Sequence, residues 1–508
     1  MIENLSPAEM AIIAIYSVLS VATIPFAVHA YIMVALRPRQ RLTSDKGPVP
    51  DEWPTVTVQL PIYNERYVVR GLLEAICAFD YPADRLEVQV LDDSTDDTRD
   101  ILSELVERYR SQGIDIVHLH RRERTGYKAG ALKEGLEVAK GEFLAIFDAD
   151  FLPPPDFLRR TIPAFKDDVG AVQTRWGHLN REYSPLTRVF AIAIDAAFVL
   201  ESGVRHARGL LVPFNGTCGV WRKAALIDAG GWDADTLTED IDLAVRAQLR
   251  HWRIEYLNDV VCEGELPATV AGIKTQQLRW ATGVIQNARK HLKTVLREPR
   301  MSLLAKYEGS LLLCNHIIFP IVFLMCVLAW PVARLSEVPG PVGAFVSTWY
   351  TGWLVLWLGY PLYFLVAQKE TYEDWPRRLS SLPLLLACLI GISALGTLGV
   401  AVGLSNRKGP FMRTPKYRLV GREGTWRGRY RTRHALTTGI ELFMAVYLAF
   451  STWYAVSRGL LVWVPFLLLA TVGFAVFGGV SVAQALAGGL GRDPSRDAGA
   501  ASNSGATG

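Results

Sequence analysis

Cysteine is scarce and unpatterned in this 508-residue chain. There are six, Cys77, Cys218, Cys262, Cys314, Cys326 and Cys388, and no two are spaced C-x-x-C. That excludes a thiolate metal cluster and predicts reduced thiols rather than a disulfide framework. Basic residues are missing from the start, where MIENLSPAE carries two Glu and no Lys or Arg. The apolar run that follows is also too long for a signal-peptide core, so a secretory signal is not expected. No internal repeat is visible. Acidic residues are almost absent from 405–435, which sets ten Lys/Arg against the single Glu423.

What is abundant is apolar sequence in long blocks. Residues 10–36 form one, and most of 308–489 forms several more. Blocks of 20 or more residues match a hydrocarbon core about 30 Å thick. Between them, 54–300 has the composition of a globular α/β domain. The expected organisation is a first transmembrane helix at 10–36, a cytosolic domain at 54–300, and a membrane domain at 308–489. The small, polar tail 490–508 is expected to be disordered.

Charge placement orients this scheme. Arg37, Arg39 and Arg41 follow the first block, and the ten basic residues of 405–435 stay on the cytoplasmic side by the positive-inside rule. The N-terminus is then outside and the domain inside, in the cell (inner or plasma) membrane. Counting every apolar block as a span would put 405–435 outside. The Gly-rich segment 379–404, flanked by Arg377/Arg378 and Arg407/Lys408, is therefore expected to lie at the cytoplasmic interface or re-enter it. Four spans remain in 308–489. The basic loop 405–435 is either a topology signal alone or a surface for lipid headgroups or an anionic substrate; no nucleic-acid partner is expected.

Within 54–300, strand and helix patterns alternate. TVTVQL (55–60), LEVQVL (86–91), IDIVHL (114–119) and FLAIFDAD (143–150) read as strands. Helical patterns at 67–79, 95–112 and 127–139 separate them, which indicates βαβ units and a Rossmann-like, mostly parallel sheet. Ligands of such sheets bind outside the carboxyl ends of the strands. The last strand ends in Asp148-Ala149-Asp150. Residues i and i+2 of an extended chain face the same way, so both carboxylates can hold one hard cation, Mg²⁺ or Mn²⁺. Taken alone, D-x-D could equally be a solvated acidic turn.

The motifs fall in a fixed order. Pro61-Ile62-Tyr63-Asn64-Glu65 follows the first strand and Asp92-Asp93-Ser94 the second. Tyr127-Lys128-Ala129-Gly130 opens a helix, and Asp148-Ala149-Asp150 ends the fourth strand. Then come Phe214-Asn215-Gly216-Thr217, Thr238-Glu239-Asp240, Gln276-Gln277-Leu278-Arg279-Trp280 and FMRTPK (411–416). The D, D-x-D, T-E-D and Q-x-x-R-W series resembles the inverting family 2 glycosyltransferases of the membrane-embedded cellulose synthase-like group. VLDDSTD, GYKAGALKEG, AIFDADF, FNGT and GVWR look closest to the mannan and xyloglucan-backbone synthase branches.

The resemblance implies a glycosyltransferase-A-type fold and a set of roles. Asp93 accepts a hydrogen bond from a nucleotide base, although an Asx turn would also use an Asp there. Lys128, at a helix N-terminus, meets phosphate. Asp148 and Asp150 hold the metal. Asp240 is the general base, with Glu239 orienting it and Thr238 capping a helix. Gln276 and Arg279 bind diphosphate, and Trp280 stacks on the acceptor sugar. Phe214, Asn215, Gly216 and Thr217 approach the acceptor end. Phe411, Thr414 and Lys416 match three positions of the gating-loop motif F-x-V-T-x-K, while Arg413 replaces its Val. No PilZ-like domain follows the last apolar block.

The implied reaction is transfer of a hexose from a nucleotide sugar, UDP-glucose first and GDP-mannose second, to a growing polysaccharide that is exported. The alternative is single transfer to a lipid-linked acceptor. Trp330, Trp349, Trp353, Trp357 and Trp453 suit either an aromatic belt or a sugar path. His178, His316 and His434 read as structural or interfacial.

Overall fold

A computed structural model describes residues 5–38, 50–405, 413–427 and 434–489. The tail 490–508 and Phe411 lie outside the described residues. Eight strands form a single sheet in the order β3-β2-β1-β4-β7-β6-β8-β5. They are β1 (Val56–Ile62), β2 (Leu86–Asp92), β3 (Ile116–His120), β4 (Phe143–Ile146), β5 (Phe151–Leu152), β6 (Val169–His178), β7 (Gly219–Arg222) and β8 (Arg253–Gly264). The first four pair in parallel, as the alternation predicts. In the other half β6 and β8 also pair in parallel, while β7 runs antiparallel to both β4 and β6, and β5 to β8. The sheet is therefore mixed.

The alternation of side chains explains the layers. In β1, Val56, Val58 and Leu60 enter one core with Leu72, Val88, Val90 and Phe157. In β4, Leu144 and Ile146 face a second core with Leu132, Trp221 and Leu243 on the opposite face. Each such buried aliphatic side chain contributes about 1.5–3 kcal/mol relative to exposure. Between the two cores, Thr57 and Gln59 of β1 pair with Glu87 and Gln89 of β2, at 2.6 and 3.0 Å. Each of these buried side chains meets one partner across the strands, while Gln59 Oε1 and Gln89 Nε2 have none.

Among the described residues, five helices are long and apolar enough to cross a bilayer: Pro7–Leu36, Leu303–Leu335, Pro341–Thr371, Ala435–Ser457 and Val464–Ala487. The Gly-rich segment forms two helices, Trp375–Gly391 and Ser393–Leu404, bent by 42°. Two of its glycines, Gly399 and Gly403, lie against the helix Val270–Arg297. A Cβ on Gly399 would meet Ala281 Cβ at 2.6 Å, and one on Gly403 would meet Thr282 O at 2.7 Å. Only residues without a side chain let the two helices approach so closely.

Val270–Arg297 therefore joins the two halves of the molecule. Thr269 caps it, accepting from Gly272 N at 3.1 Å. Gln276, Arg279 and Trp280, three and four positions apart, share one face. Lys274 points the other way and is fully buried. Its Nζ donates to Glu441 at 2.5 Å, Thr438 at 3.1 Å and Ser481 at 3.0 Å, on two of these long apolar helices.

Candidate active site

The turn after β4 is where the site begins. The strand ends at Ile146, so Asp148 and Asp150 do not sit on an extended chain. Asp148 O accepts from Phe151 N at 3.1 Å, closing a turn that leads into β5. The i, i+2 argument for their common direction thus fails locally, yet both carboxylates line one cleft. Asp148 N donates to Thr217 Oγ1 at 2.8 Å, so Thr217 is a buried support rather than part of the surface. Phe214 is also fully buried, packed on Trp221. Of that quartet, Asn215 lines the cleft.

The same cleft is lined by Asp93, Lys128, Glu239, Asp240, Gln276, Arg279 and Trp280. Thr414 and Lys416 of the basic loop also line it. Lys128 Nζ donates to Asp148 Oδ1 at 2.5 Å and to Gly216 O at 2.9 Å. Burial disfavours its charge, but Asp148 outweighs that and its pKa is raised, so it stays an ammonium. Lys416 Nζ donates to Asp150 and to Glu265 O. Each D-x-D carboxylate therefore already faces a positive charge.

Asp240 is the second residue of the helix Glu239–Leu249. Its Oδ1 accepts from Ile241 N at 2.8 Å. Burial and the adjacent Glu239 charge push its pKa up to about 7, opposed by Lys128 and Arg279. A carboxyl poised there at neutral pH is suited to proton transfer. Thr238 does not cap the helix by its side chain. Its Oγ1 instead accepts from Asn287 Nδ2 at 2.8 Å, which ties the motif to Val270–Arg297.

Gly216 holds a close approach. It has φ +75°, and a Cβ there would lie 2.8 Å from Asp240 Oδ2 and 3.3 Å from Lys128 Nζ. Backbone strain of about 1–3 kcal/mol plus displacement of Asp240 sets the expected result for Gly216→Ala. Turnover should fall roughly 5- to 100-fold and the thermal midpoint should drop by a few degrees, read from initial rates and a melting curve on one preparation. Unchanged turnover would mean that the contact has no bearing on the reaction.

Comparison with known proteins places this cleft. Residues 54–283 match the family model described as glycosyltransferase like family 2. The domain belongs to that family. Over 287 residues the chain is 42% identical to glucomannan 4-beta-mannosyltransferase 1 of Oryza sativa subsp. japonica, covering 53% of this chain and 54% of the relative. Glucomannan 4-beta-mannosyltransferase 2 of Arabidopsis thaliana is 44% identical over 255 residues, covering 49% and 48%. The chain thus spans about half the length of the curated relatives it matches. A mannosyltransferase of Pyrobaculum calidifontis, solved with GDP-Man and Mn²⁺, superposes with a TM-score of 0.50 at 21% identity, covering 79% of this chain and 99% of that one. That likeness concerns the fold. Of the two branches that the motifs resemble, these relatives match the mannan-synthase-like one.

Several residues around the cleft carry no role in the motif reading. Arg121 grips Asp93 at both oxygens, Nε to Oδ1 and Nη2 to Oδ2, each 2.7 Å. The Arg-rich run after β3 is the available signal. Arg124 lies over the Tyr63 ring, 3.5 Å from its centroid. Glu65 is in the cleft wall, and burial raises its pKa to about 8 against the pull of Arg413, 3.4 Å away. Glu265 accepts from Tyr417 N at 2.8 Å and Leu419 N at 3.1 Å, fixing the basic loop. Nothing in local sequence marks Glu265. Arg413, the departure from the gating motif, donates to the Tyr63 and Asn64 carbonyls. His178 meets Asp195 at 3.0 Å and His434 meets Thr275 at 3.0 Å, both structural contacts.

Proposed function

We propose that this chain is a membrane-embedded inverting hexosyltransferase that extends a β-linked polysaccharide from a nucleotide sugar and passes it between its membrane helices. The observation that carries this reading is the meeting of Asp93, Asp148, Asp150, Asp240 and Arg279 in one cleft against a helix packed on membrane segments. Asp93, oriented by Arg121, reads the base. Lys128, Gln276 and Arg279 receive the diphosphate. Asp240 takes the proton of the acceptor hydroxyl as its oxygen attacks the anomeric carbon from the face opposite the leaving group. Trp280 offers the acceptor sugar a flat face. In the proposed topology the N-terminus is outside and the domain and basic loop are cytoplasmic, with 379–404 at the interface.

The donor set fits a divalent ion. Two carboxylates, Asp148 and Asp150, each already hold an ammonium, and Glu65 Oε2 is a buried carboxylate oxygen in the same cleft without a hydrogen bond. Hard oxygens of this kind suit Mg²⁺ or Mn²⁺. When bound, the ion would offset charge on the leaving diphosphate.

UDP-glucose, the first donor expected, finds no support among the relatives at 42–44% identity, which are mannosyltransferases. GDP-mannose therefore heads the proposal. A second reading, transfer to a lipid-linked acceptor, draws on an apolar cavity of about 550 Å³ bordered by Trp353, Trp357, Tyr360 and Phe466. Purified protein in nanodiscs, given radiolabelled GDP-mannose or UDP-glucose, separates these readings. The expected product is a long β-mannanase-sensitive chain labelled from GDP-mannose. Label confined to the lipid extract would replace polymer synthesis by lipid transfer, and label only from UDP-glucose would reverse the donor order.

A further inference from the structure

Behind the base-binding end of the cleft, a second group of ligating side chains comes together that the proposed reaction does not use. Asp92 is the last residue of β2, and it pairs directly across the strands with His120 of β3. His118 stands two residues earlier on β3, so both imidazoles leave the same face of the sheet. His118 Nε2 lies 2.9 Å from Asp92 Oδ2 and His120 Nδ1 lies 3.1 Å from the same oxygen. The Asp92 side chain is wholly buried while the two histidines are 14% and 21% exposed, which leaves an open side toward solvent.

We propose that Asp92, His118 and His120 form a binding site for a zinc-class transition ion, separate from the D-x-D pair. Donor chemistry distinguishes the two sites. Two imidazoles and one carboxylate suit Zn²⁺, whereas carboxylates alone suit Mg²⁺ or Mn²⁺. Metal–ligand lengths of about 2.0–2.2 Å place neighbouring ligand atoms about 3.3 Å apart in a tetrahedron. The two imidazole–carboxylate separations need to open by only a few tenths of an ångström, all three ligand atoms lie within 4.8 Å of one another, and water or an exogenous group would complete the shell. Two of the protein ligands are oriented by outer partners. Asp92 Oδ1 accepts from Ser94 N at 2.8 Å, and His118 Nδ1 meets Ser103 Oγ at 3.4 Å. Such outer contacts are what hold metal ligands in register.

The site has a route to the chemistry. Arg121 follows His120, and its backbone N donates to Asp92 O at 2.9 Å while its side chain grips Asp93. An ion joining β2 to β3 would brace Asp93 and Arg121, which in the proposed reaction meet the nucleotide base. The site itself stands or falls independently of that role, because its test reads metal content.

Full-length protein, purified in detergent, is exposed to ZnCl₂, desalted, and analysed for metal by mass spectrometry. The wild type is expected to retain about one zinc ion per chain, and His118→Gln/His120→Gln none. Loading with Co²⁺ should give visible tetrahedral d–d absorption in the wild type and none in the double Gln variant. His120→Cys guards against a variant that merely misfolds. A thiolate in place of the imidazole should keep the metal and add a near-ultraviolet sulfur-to-cobalt charge-transfer band. Equal zinc in the wild type and the double Gln variant, or no zinc retained by the wild type, would overturn the proposal. In that event the three side chains are a plain imidazole–carboxylate hydrogen-bond network.

Discussion

Asp240→Asn is expected to abolish transfer while leaving donor binding almost unchanged. Asn has the size of Asp, so the contact with Ile241 N and the cleft wall persist, but it cannot take a proton. General-base assistance is typically worth about 10²–10⁴-fold, and turnover should fall by that factor in a radiolabel assay. Titration calorimetry with the nucleotide should give an affinity within about threefold of wild type, because in the proposed reaction Asp240 faces the acceptor rather than the base. A pH profile adds an independent readout. The base works only when ionised, and burial with Glu239 sets its pKa at about 7. Wild-type turnover should therefore drop on the acid side of pH 7 and level off above it. The small residual rate of Asp240→Asn should lack that limb. If the variant turns over at the wild-type rate, Asp240 is not the base.

Chelation should produce the second large effect, and it should do so without unfolding the protein. Asp148 and Asp150 each hold a lysine ammonium, so the cleft remains charge-compensated when no divalent ion is present. Thermal stability in EDTA is expected to match that in buffer with Mn²⁺ and no nucleotide to within a few degrees. Turnover should fall by at least about 10²-fold, because a Lewis acid at a developing diphosphate supplies several kcal/mol. Restoring Mg²⁺ or Mn²⁺ should recover the rate. Full activity in metal-free buffer would remove the ion from the reaction and leave Lys128 and Lys416 as the charges that face the phosphates.

Part of the fold and of the site is legible in the amino-acid sequence. Val56, Val58 and Leu60 alternate with Thr57 and Gln59, and that period of two marks a strand. The apolar blocks announce themselves by length alone. D-x-D, T-E-D and Q-x-x-R-W are short motifs whose spacing survives in the linear chain. Other features mislead for a local reason. FLAIFDAD looks like one strand because Phe147 is as apolar as its neighbours, but the chain turns there to bring Asp148 and Asp150 toward Lys128 and Lys416. Thr238 looks like a helix cap, and it is drawn away by Asn287, 49 residues distant.

The linear order of residues determined where the first four strands lie, which segments are long and apolar enough for a bilayer, and which carboxylates carry the family's motifs. All of that follows from periodicity and composition over a few turns of chain. Tertiary structure alone decided that Lys416 reaches Asp150 across 266 residues, that Arg413 secures the basic loop beside Glu65, and that Asp92, His118 and His120 converge. It also decided that Asp240 sits near a pKa of 7. Burial and the charges of distant neighbours are properties of the packed molecule, and no window of sequence contains them.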